Sequence, residues 1–386
     1  MKIRNSFYLF LVAVLVGSLT ITGTVAAASG PDAGNTIGAK AVCGLVPIGD
    51  ARCIAWARPN ASSSPVGLSP VTMKAAYGFS TSNTAGAGKT IGIVDAYNDP
   101  TAANDLSVFS SQFGLPACTT ANGCFTRVSQ TGSTTKYPST DAGWALEISL
   151  DIEWAHAIAP GAKILLVEAN SASFANLLAA EDYAAAHATY VSNSWGGSET
   201  SGEKSYDSHF VHSGVTFFVS AGDAGLPAEY PSASPNVISV GGTLLTFNTN
   251  GSLASETGWT DGGGGCSKYE TANAAQSAYS GYAQVKCASK RATPDVSLDA
   301  APNSGAAVYD TTKYSGQSGW WQVGGTSLSS PMWAARAADS GVVTNAAYIY
   351  ANNIAFRDIT SGNNGAACLA GFDLCSGRGS WTGATP

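Results

Sequence analysis

The chain has 386 residues, 45% of them hydrophobic and only 12% charged, with 44 glycines and a net charge of −7 at pH 7. An acidic, charge-poor, Gly-rich chain excludes a nucleic-acid partner, a coiled coil and a charged disordered tail, and it is long enough to bury a large core. Few basic groups also mean mild self-repulsion once the carboxylates are protonated, which is compatible with work in acid.

The first 28 residues read as a secretory signal. Lys2 and Arg4 give a basic start, Phe7 to Val16 an apolar run, and Ala26-Ala27-Ala28 a small-residue cleavage site. No later run approaches 18 apolar residues, so no membrane span is expected and the product is expected outside the cell, as a monomer. Residues 29–67, rich in Ala, Gly, Pro and Ser, read as a leader or short prosegment. The domain proper is expected from residue 68 to residue 386.

Within it, Gly67-Leu68-Ser69-Pro70 opens a helix through Tyr77, Thr90 to Asp95 is a short apolar strand, and Asp99-Pro100 starts a helix carrying Leu106 and Phe109. A helix from Asp141 to Ala159, a strand from Lys163 to Val167 and a helix from Ser173 to His187 follow. Three more apolar runs end the series, Tyr190 to Ser194, Val215 to Ser220 and Val237 to Val240. Short apolar strands alternating with helices predict a mainly parallel sheet covered on both faces, an α/β fold with its site beyond the carboxyl ends of the strands. The run from Asp261 to Cys266 reads as a flexible glycine loop; it lacks the strand–GxGxxG–helix context of a dinucleotide site. Eight cysteines in an exported chain point to disulfides. Of 105 possible pairings, four short-range pairs are available: Cys43/Cys53, Cys118/Cys124, Cys266/Cys287 and Cys368/Cys375.

Three places could carry chemistry. On the helix from Asp141, at 100° per residue, Asp151 falls about 40° from Glu147, with Trp154 and Ile158 within about 20° and Trp144 at about 60°. Ser149, Glu153 and His156 form a polar stripe on the opposite side. An acidic i,i+4 pair is ordinarily solvated, but this one lies on the apolar stripe, where desolvation and like-charge repulsion raise a carboxyl pKa. Second, Gly324-Gly325-Thr326-Ser327 precedes a helix, so Ser327 is an N-cap or a nucleophile. Third, Asp223 follows an apolar strand between Gly222 and Gly225, as an Asx-turn former or as a protonated acid able to donate to an oxyanion. The four histidines occupy none of these places, which leaves the carboxylate pair as the better base for Ser327.

Glu147-Ile-Ser-Leu-Asp151, Ser220-Ala-Gly-Asp223 and Gly325-Thr-Ser327-Leu-Ser-Ser-Pro331, in that order, resemble the motifs of the sedolisins, serine-carboxyl peptidases with a subtilisin-like three-layer α/β/α fold. The similarity includes Ser192 to Gly197 and the Asp95-Ala96-Tyr97 strand end. It implies Ser327 as nucleophile, Glu147 as general base, Asp151 as its hydrogen-bond partner and Asp223 as oxyanion donor. Ser194, Trp195, Gly196 and Gly197 would offer backbone to an extended protein or peptide substrate. It also implies one Ca2+ site, with carboxylates from Asp358 and Asp373 and carbonyls from Ile359 and Gly371, although Leu369 stands where the family commonly has glycine. Departures are the short leader, where sedolisins carry a long folded prosegment, and Ala224 in place of a serine. The implied activity is peptide-bond hydrolysis in acid, where imidazole is protonated but a carboxylate can still act as base. A catalytically inactive binding protein on the same scaffold, and a His-dependent subtilisin-like hydrolase with a neutral optimum, are the alternatives.

Overall fold

A computed structural model describes residues 38–341, 344–351 and 355–383; residues 1–28, read as a secretory signal, lie outside them. The centre is an eight-stranded sheet. In spatial order it runs Phe125–Ser129, Lys163–Ala169, Thr90–Ala96, Tyr190–Asn193, Thr216–Ser220 and Ile238–Phe247. All these neighbours are parallel. Ile238–Phe247 then carries both the parallel strand Val296–Asp299 and the antiparallel strand Leu253–Gly258. From Thr90–Ala96 the chain passes to the edge strand Phe125–Ser129, returns through Lys163–Ala169 beside Thr90–Ala96, and then builds the other side from Tyr190–Asn193 outward; the strand order thus reverses at Thr90–Ala96, and the crevice beyond the carboxyl ends at such a reversal is where ligands bind in open α/β sheets.

The inner strands Thr90–Ala96, Tyr190–Asn193 and Thr216–Ser220 are almost wholly buried, because helices cover both faces. Pro70–Tyr77 is capped by Ser69, whose Oγ accepts from Thr72 N, and Phe174–His187 by Ser173 in the same way. The helix Ala142–Ile158 begins at Asp141, whose Oδ1 accepts from Gly143 N and Trp144 N. Every residue from Trp144 to Ile158 is buried, polar stripe included. That stripe meets protein rather than water: Glu153 Oε2 accepts from Tyr309 N at 3.0 Å, and His156 Nε2 lies 2.9 Å from Pro116 O. The reason is a β-hairpin, Ala306–Tyr314 with Gln317–Gly324, that the apolar-run pattern does not announce and that packs over this helix.

Residues read as a leader are also part of the folded body. Lys40–Ala41 pairs with Trp56–Ala57, which pairs in turn with the hairpin strand at Val323–Gly324. Arg52–Cys53 pairs antiparallel with Trp195–Gly196. All four short-range disulfides are formed.

The glycine run at 262–265 is not a flexible loop. It is buried against the end of the strand Thr216–Ser220, with Gly263 N donating to Gly222 O at 2.6 Å. A Cβ at Gly263 would lie 2.1 Å from Ala221 O. The glycines are there because two backbones touch, a requirement of close packing.

Candidate active site

Ser327 is the second residue of the helix Thr326–Ser340. Gly325 before it has φ +100°, a conformation open to glycine, and a Cβ there would fall 2.6 Å from Asp223 Oδ2. Pro331 lies inside the helix and has no N–H to give Ser327 O, four residues earlier. That carbonyl instead accepts from Ser194 Oγ at 3.3 Å. The proline thus frees the Ser327 carbonyl for the loop that carries residues 194–197.

Asp223 sits just past the strand Thr216–Ser220. Its Oδ1 accepts from Thr326 N at 2.8 Å and from Thr326 Oγ1 at 2.9 Å, while Oδ2 has no partner among the described residues. Burial pushes its pKa well above the usual carboxylate range, against the lowering effect of the two Thr326 donors and Arg52. A protonated Oδ2 is therefore a hydrogen-bond donor in search of an acceptor.

Glu147 and Asp151 are fully buried one turn apart on the apolar side of their helix, as the spacing predicts. Asp151 Oδ1 accepts from Ser194 Oγ at 2.9 Å, and Asp151 Oδ2 and both oxygens of Glu147 have no hydrogen-bond partner among the described residues. Burial is the largest cause of the upward shift at Glu147, followed by the charges of Asp151 and Asp95; the nearby Ser327 hydroxyl opposes it. Ser327 and Glu147 are neighbours without a formed hydrogen bond, since Ser327 Oγ points to Ser194 O at 3.5 Å. Contacts of this kind often close only when substrate binds.

Asp95 is the residue that sequence reasoning quoted but did not place in the site. It ends the central strand, is fully buried, and neither of its oxygens has a partner. Its pKa is raised by burial first, then by Asp151 and Glu168. Its position at a strand end facing the switch in strand order was the available signal. Thr326, which orients Asp223, was legible only as part of a motif. The upward shift expected of an acid pair on an apolar stripe is found at Glu147, with Asp95 as a further carboxyl that adds to it.

The histidines lie elsewhere. His187 Nδ1 is 2.7 Å from Tyr183 O, and His209 and His212 face Asp182 at 2.8 and 4.0 Å. His156, held near Pro116, has a pKa lowered to about 4 by burial. Each histidine thus has its partners away from Ser327, at Pro116, Tyr183 and Asp182.

Ser194, Trp195, Gly196 and Gly197 are buried where the chain enters the strand Trp195–Ser198. The strand Trp195–Ser198 is flanked by Glu229–Tyr230 on one side and Arg52–Cys53 on the other. Small side chains are required there: a Cβ at Gly197 would meet Asp50 O at 2.8 Å. Residues 52–57 run beside this strand. Ile54 N donates to Ser194 O at 3.1 Å, and Ser327 N donates to Ile54 O at 3.3 Å.

Near the carboxyl end, Asp358 Oδ2 accepts from Gly371 N at 2.9 Å. Asp373 accepts from Leu369 N, Cys375 N and Ser376 N, and the Cys368–Cys375 disulfide closes the same loop. Two carboxylates and backbone carbonyls make an all-oxygen donor set whose chemistry fits a hard divalent cation.

The subtilase family profile matches residues 138–348. Kumamolisin of Bacillus sp. (strain MN-32) is 31% identical over 371 residues, with 83% of this chain and 63% of kumamolisin aligned. Sedolisin of Pseudomonas sp. (strain 101) is 30% identical over 371 residues, with 84% and 60% aligned. This chain therefore spans about three-fifths of the length of these two relatives. The solved structure of Pseudomonas sedolisin, a serine-carboxyl proteinase complexed with two molecules of pseudo-iodotyrostatin, matches with a TM-score of 0.69 at 29% identity, over 83% of this chain and 96% of that one. With the strand order, the placement of Ser327 and the acid cluster beside it, these matches settle the family: the chain belongs to the subtilases, in their sedolisin group.

Proposed function

We propose that this protein is an exported serine-carboxyl peptidase that hydrolyses peptide bonds in acid through an acyl-Ser327 intermediate. The observation that carries the reading is the convergence of Ser327, Glu147, Asp151 and Asp223, spread over 180 residues of sequence, at one buried point with no imidazole among them.

Glu147 takes the Ser327 proton as Oγ adds to the substrate carbonyl, and returns it to the departing amine. Asp151 and Asp95 hold the proton inventory of the cluster. Ser327 N and protonated Asp223 donate to the oxyanion. Activity rises with pH as the base side of the cluster loses a proton, and falls as Asp223 ionises, which gives a bell. Both carboxyls are shifted upward, by burial first. The strand Trp195–Ser198 would offer an edge to an extended protein or peptide where Arg52–Cys53 is displaced from it. Asp358, Asp373 and the carbonyls of Ile359 and Gly371 would hold Ca2+, which when bound would offset the loop's negative charge.

The test is digestion of an unstructured protein between pH 3 and pH 8. Turnover confined to the acid side and abolished in Ser327→Ala supports the reading; undiminished turnover in that variant overturns it, and folded, processed protein without turnover at any pH favours the binding scaffold.

A further inference from the structure

The polar stripe of the helix Ala142–Ile158, on the side away from Glu147, belongs to a second group of acids. Asp99 lies just before the helix Ala102–Phe113, Asp105 in its first turn, and Asp310 on the hairpin. Each places a carboxylate oxygen within 4.8 Å of the others. Glu153 enters from the stripe. Ser149, one turn earlier on the same face, reaches Asp99 Oδ2 at 3.4 Å, and Glu153 Oε2 accepts from Tyr309 N, the residue before Asp310. Glu153 therefore stands between the two, and the charges of Asp105, Asp310 and Asp99 all act on it. All four side chains are fully buried.

Among the described residues, every hydrogen bond to this group comes from a neutral donor. Thr101 Oγ1 lies 3.0 Å from Asp99 Oδ1 and 2.7 Å from Asp105 Oδ2, with one proton to give. Thr311 gives Asp105 both its N–H and its hydroxyl, and Thr312 N donates to Asp310 Oδ1 at 2.7 Å. No lysine, arginine or histidine lies within 4 Å of the four carboxyls among the described residues. Arg127, which reaches this segment, donates to Asp99 O and pairs with Glu168 at 3.7 Å instead. Asp310 Oδ2 and Glu153 Oε1 have no partner among the described residues. Elsewhere in the chain neighbouring carboxyls join in hydrogen-bonded pairs, Glu203 with Glu199 and Glu270 with Asp207. Here Asp310 meets Asp99 and Asp105 through charge. The 4.8 Å envelope of the three aspartates is the span that two ligand oxygens take across a cation about 2.4 Å from each. Thr311 and Tyr309 also line a surface cavity of about 460 Å³, which gives an ion a way in.

We propose that Asp99, Asp105, Asp310 and Glu153 form a binding site for a hard divalent cation of calcium's size, which ties the hairpin and the helix Ala102–Phe113 to the helix that carries Glu147. Carboxylate oxygens are the donors such an ion takes, and their charge is what a buried dication requires. The ion takes the place of the protons that would otherwise keep the cluster neutral. The site is separate from the loop at 358–373 and does not depend on the peptidase reading.

The full chain carrying Ser327→Ala is freed of metal with a chelator and titrated with Ca2+ at pH 7 by equilibrium dialysis. Calcium is expected to bind. Asp310→Asn and Glu153→Gln, on two separate elements, are each expected to weaken one bound ion by at least about tenfold, while Asp373→Asn leaves that ion in place. Calorimetry supplies a second readout. Both amide variants should melt cooperatively without metal, yet show a smaller rise in Tm with calcium than the parent. A parent that binds no calcium, or binding and a calcium-dependent Tm that change only in Asp373→Asn, overturns the proposal and leaves the cluster to protons. Digestion of an unstructured protein by the wild-type chain reports on the peptidase reading separately.

Discussion

Two buried acid clusters in this molecule are built on opposite rules. Around Asp295 every oxygen is matched. Arg291 gives it a bidentate pair at 2.7 and 2.5 Å, Ser239 N donates at 2.7 Å, and Gln276 and the Tyr350 hydroxyl complete the set. Around Ser327 the carboxyls of Asp95, Glu147, Asp151 and Asp223 are equally buried, yet no cation of the chain pairs with them within 4 Å among the described residues, and each leaves at least one oxygen without a partner. The first cluster is a fixed charge held by a fixed countercharge. The second holds protons instead of cations, because a buried carboxyl without a partner lowers its free energy by staying neutral. That difference separates scaffold from chemistry, and each half can be tested.

The largest effect is expected at Ser327. Ser327→Ala should lower kcat by ~10³-fold or more, and adding Glu147→Gln should cost almost nothing further, since residues acting as one unit are not additive. An additive loss would break the unit. Glu147→Gln alone should cost ~10²–10⁴-fold. Asp223→Ala should lose ~10²–10³-fold with little change in Tm, while Asp223→Asn, which keeps a donor, should recover part of the loss and shift the alkaline limb of the pH profile. An Asp223→Asn enzyme with the wild-type limb would remove Asp223 as the titrating donor.

The matched cluster should respond in stability rather than pH profile. Arg291→Met strands Asp295 and is expected to cost about 3–5 kcal/mol of unfolding free energy by denaturant titration. If a variant that still folds also displaces the activity bell, the two clusters are not separate.

Stability should follow other buried acids whose pKa is raised. Burial raises Glu168, Glu181 and Asp310 to about 8. A carboxyl whose folded pKa lies above its unfolded one binds more protons when folded, so its contribution is complete below about pH 4 and is lost as pH rises toward 8. Tm by calorimetry should be highest in acid and fall across that window. A maximum at neutral pH would contradict it. The smallest effect is expected from the loop at 358–373. Removing Ca2+ with a chelator should lower Tm by an amount that grows with the logarithm of the calcium concentration withdrawn, and an unchanged Tm with no calcium bound by direct titration would set the site aside.

Much of this could be read beforehand. The i,i+4 spacing of Glu147 and Asp151 on an apolar stripe, the short apolar strands, and the caps at Ser69, Asp141 and Ser173 are local signals, and local hydrogen bonding and helical periodicity act over a few residues. Asp95 was half legible, as a strand end. Glu229 carries no local signal at all, since what gives it a partner is a strand from residues 52–53 lying 177 positions away. The glycines at 262–265 misled for the same reason. Flexibility is the ordinary meaning of such a run in isolation, and only contact with Ala221 turns it into packing.

Periodicity, capping and composition set the order of strands and helices and the pairing of two acids on one helix face, because those properties depend on neighbours in the chain. Which acids meet a guanidinium and which are left to hold protons were decided by the tertiary structure alone. Desolvation and strand pairing depend on what is brought near in space, and nothing within a few residues of Asp95, Asp223, Glu229 or Asp295 states what that will be.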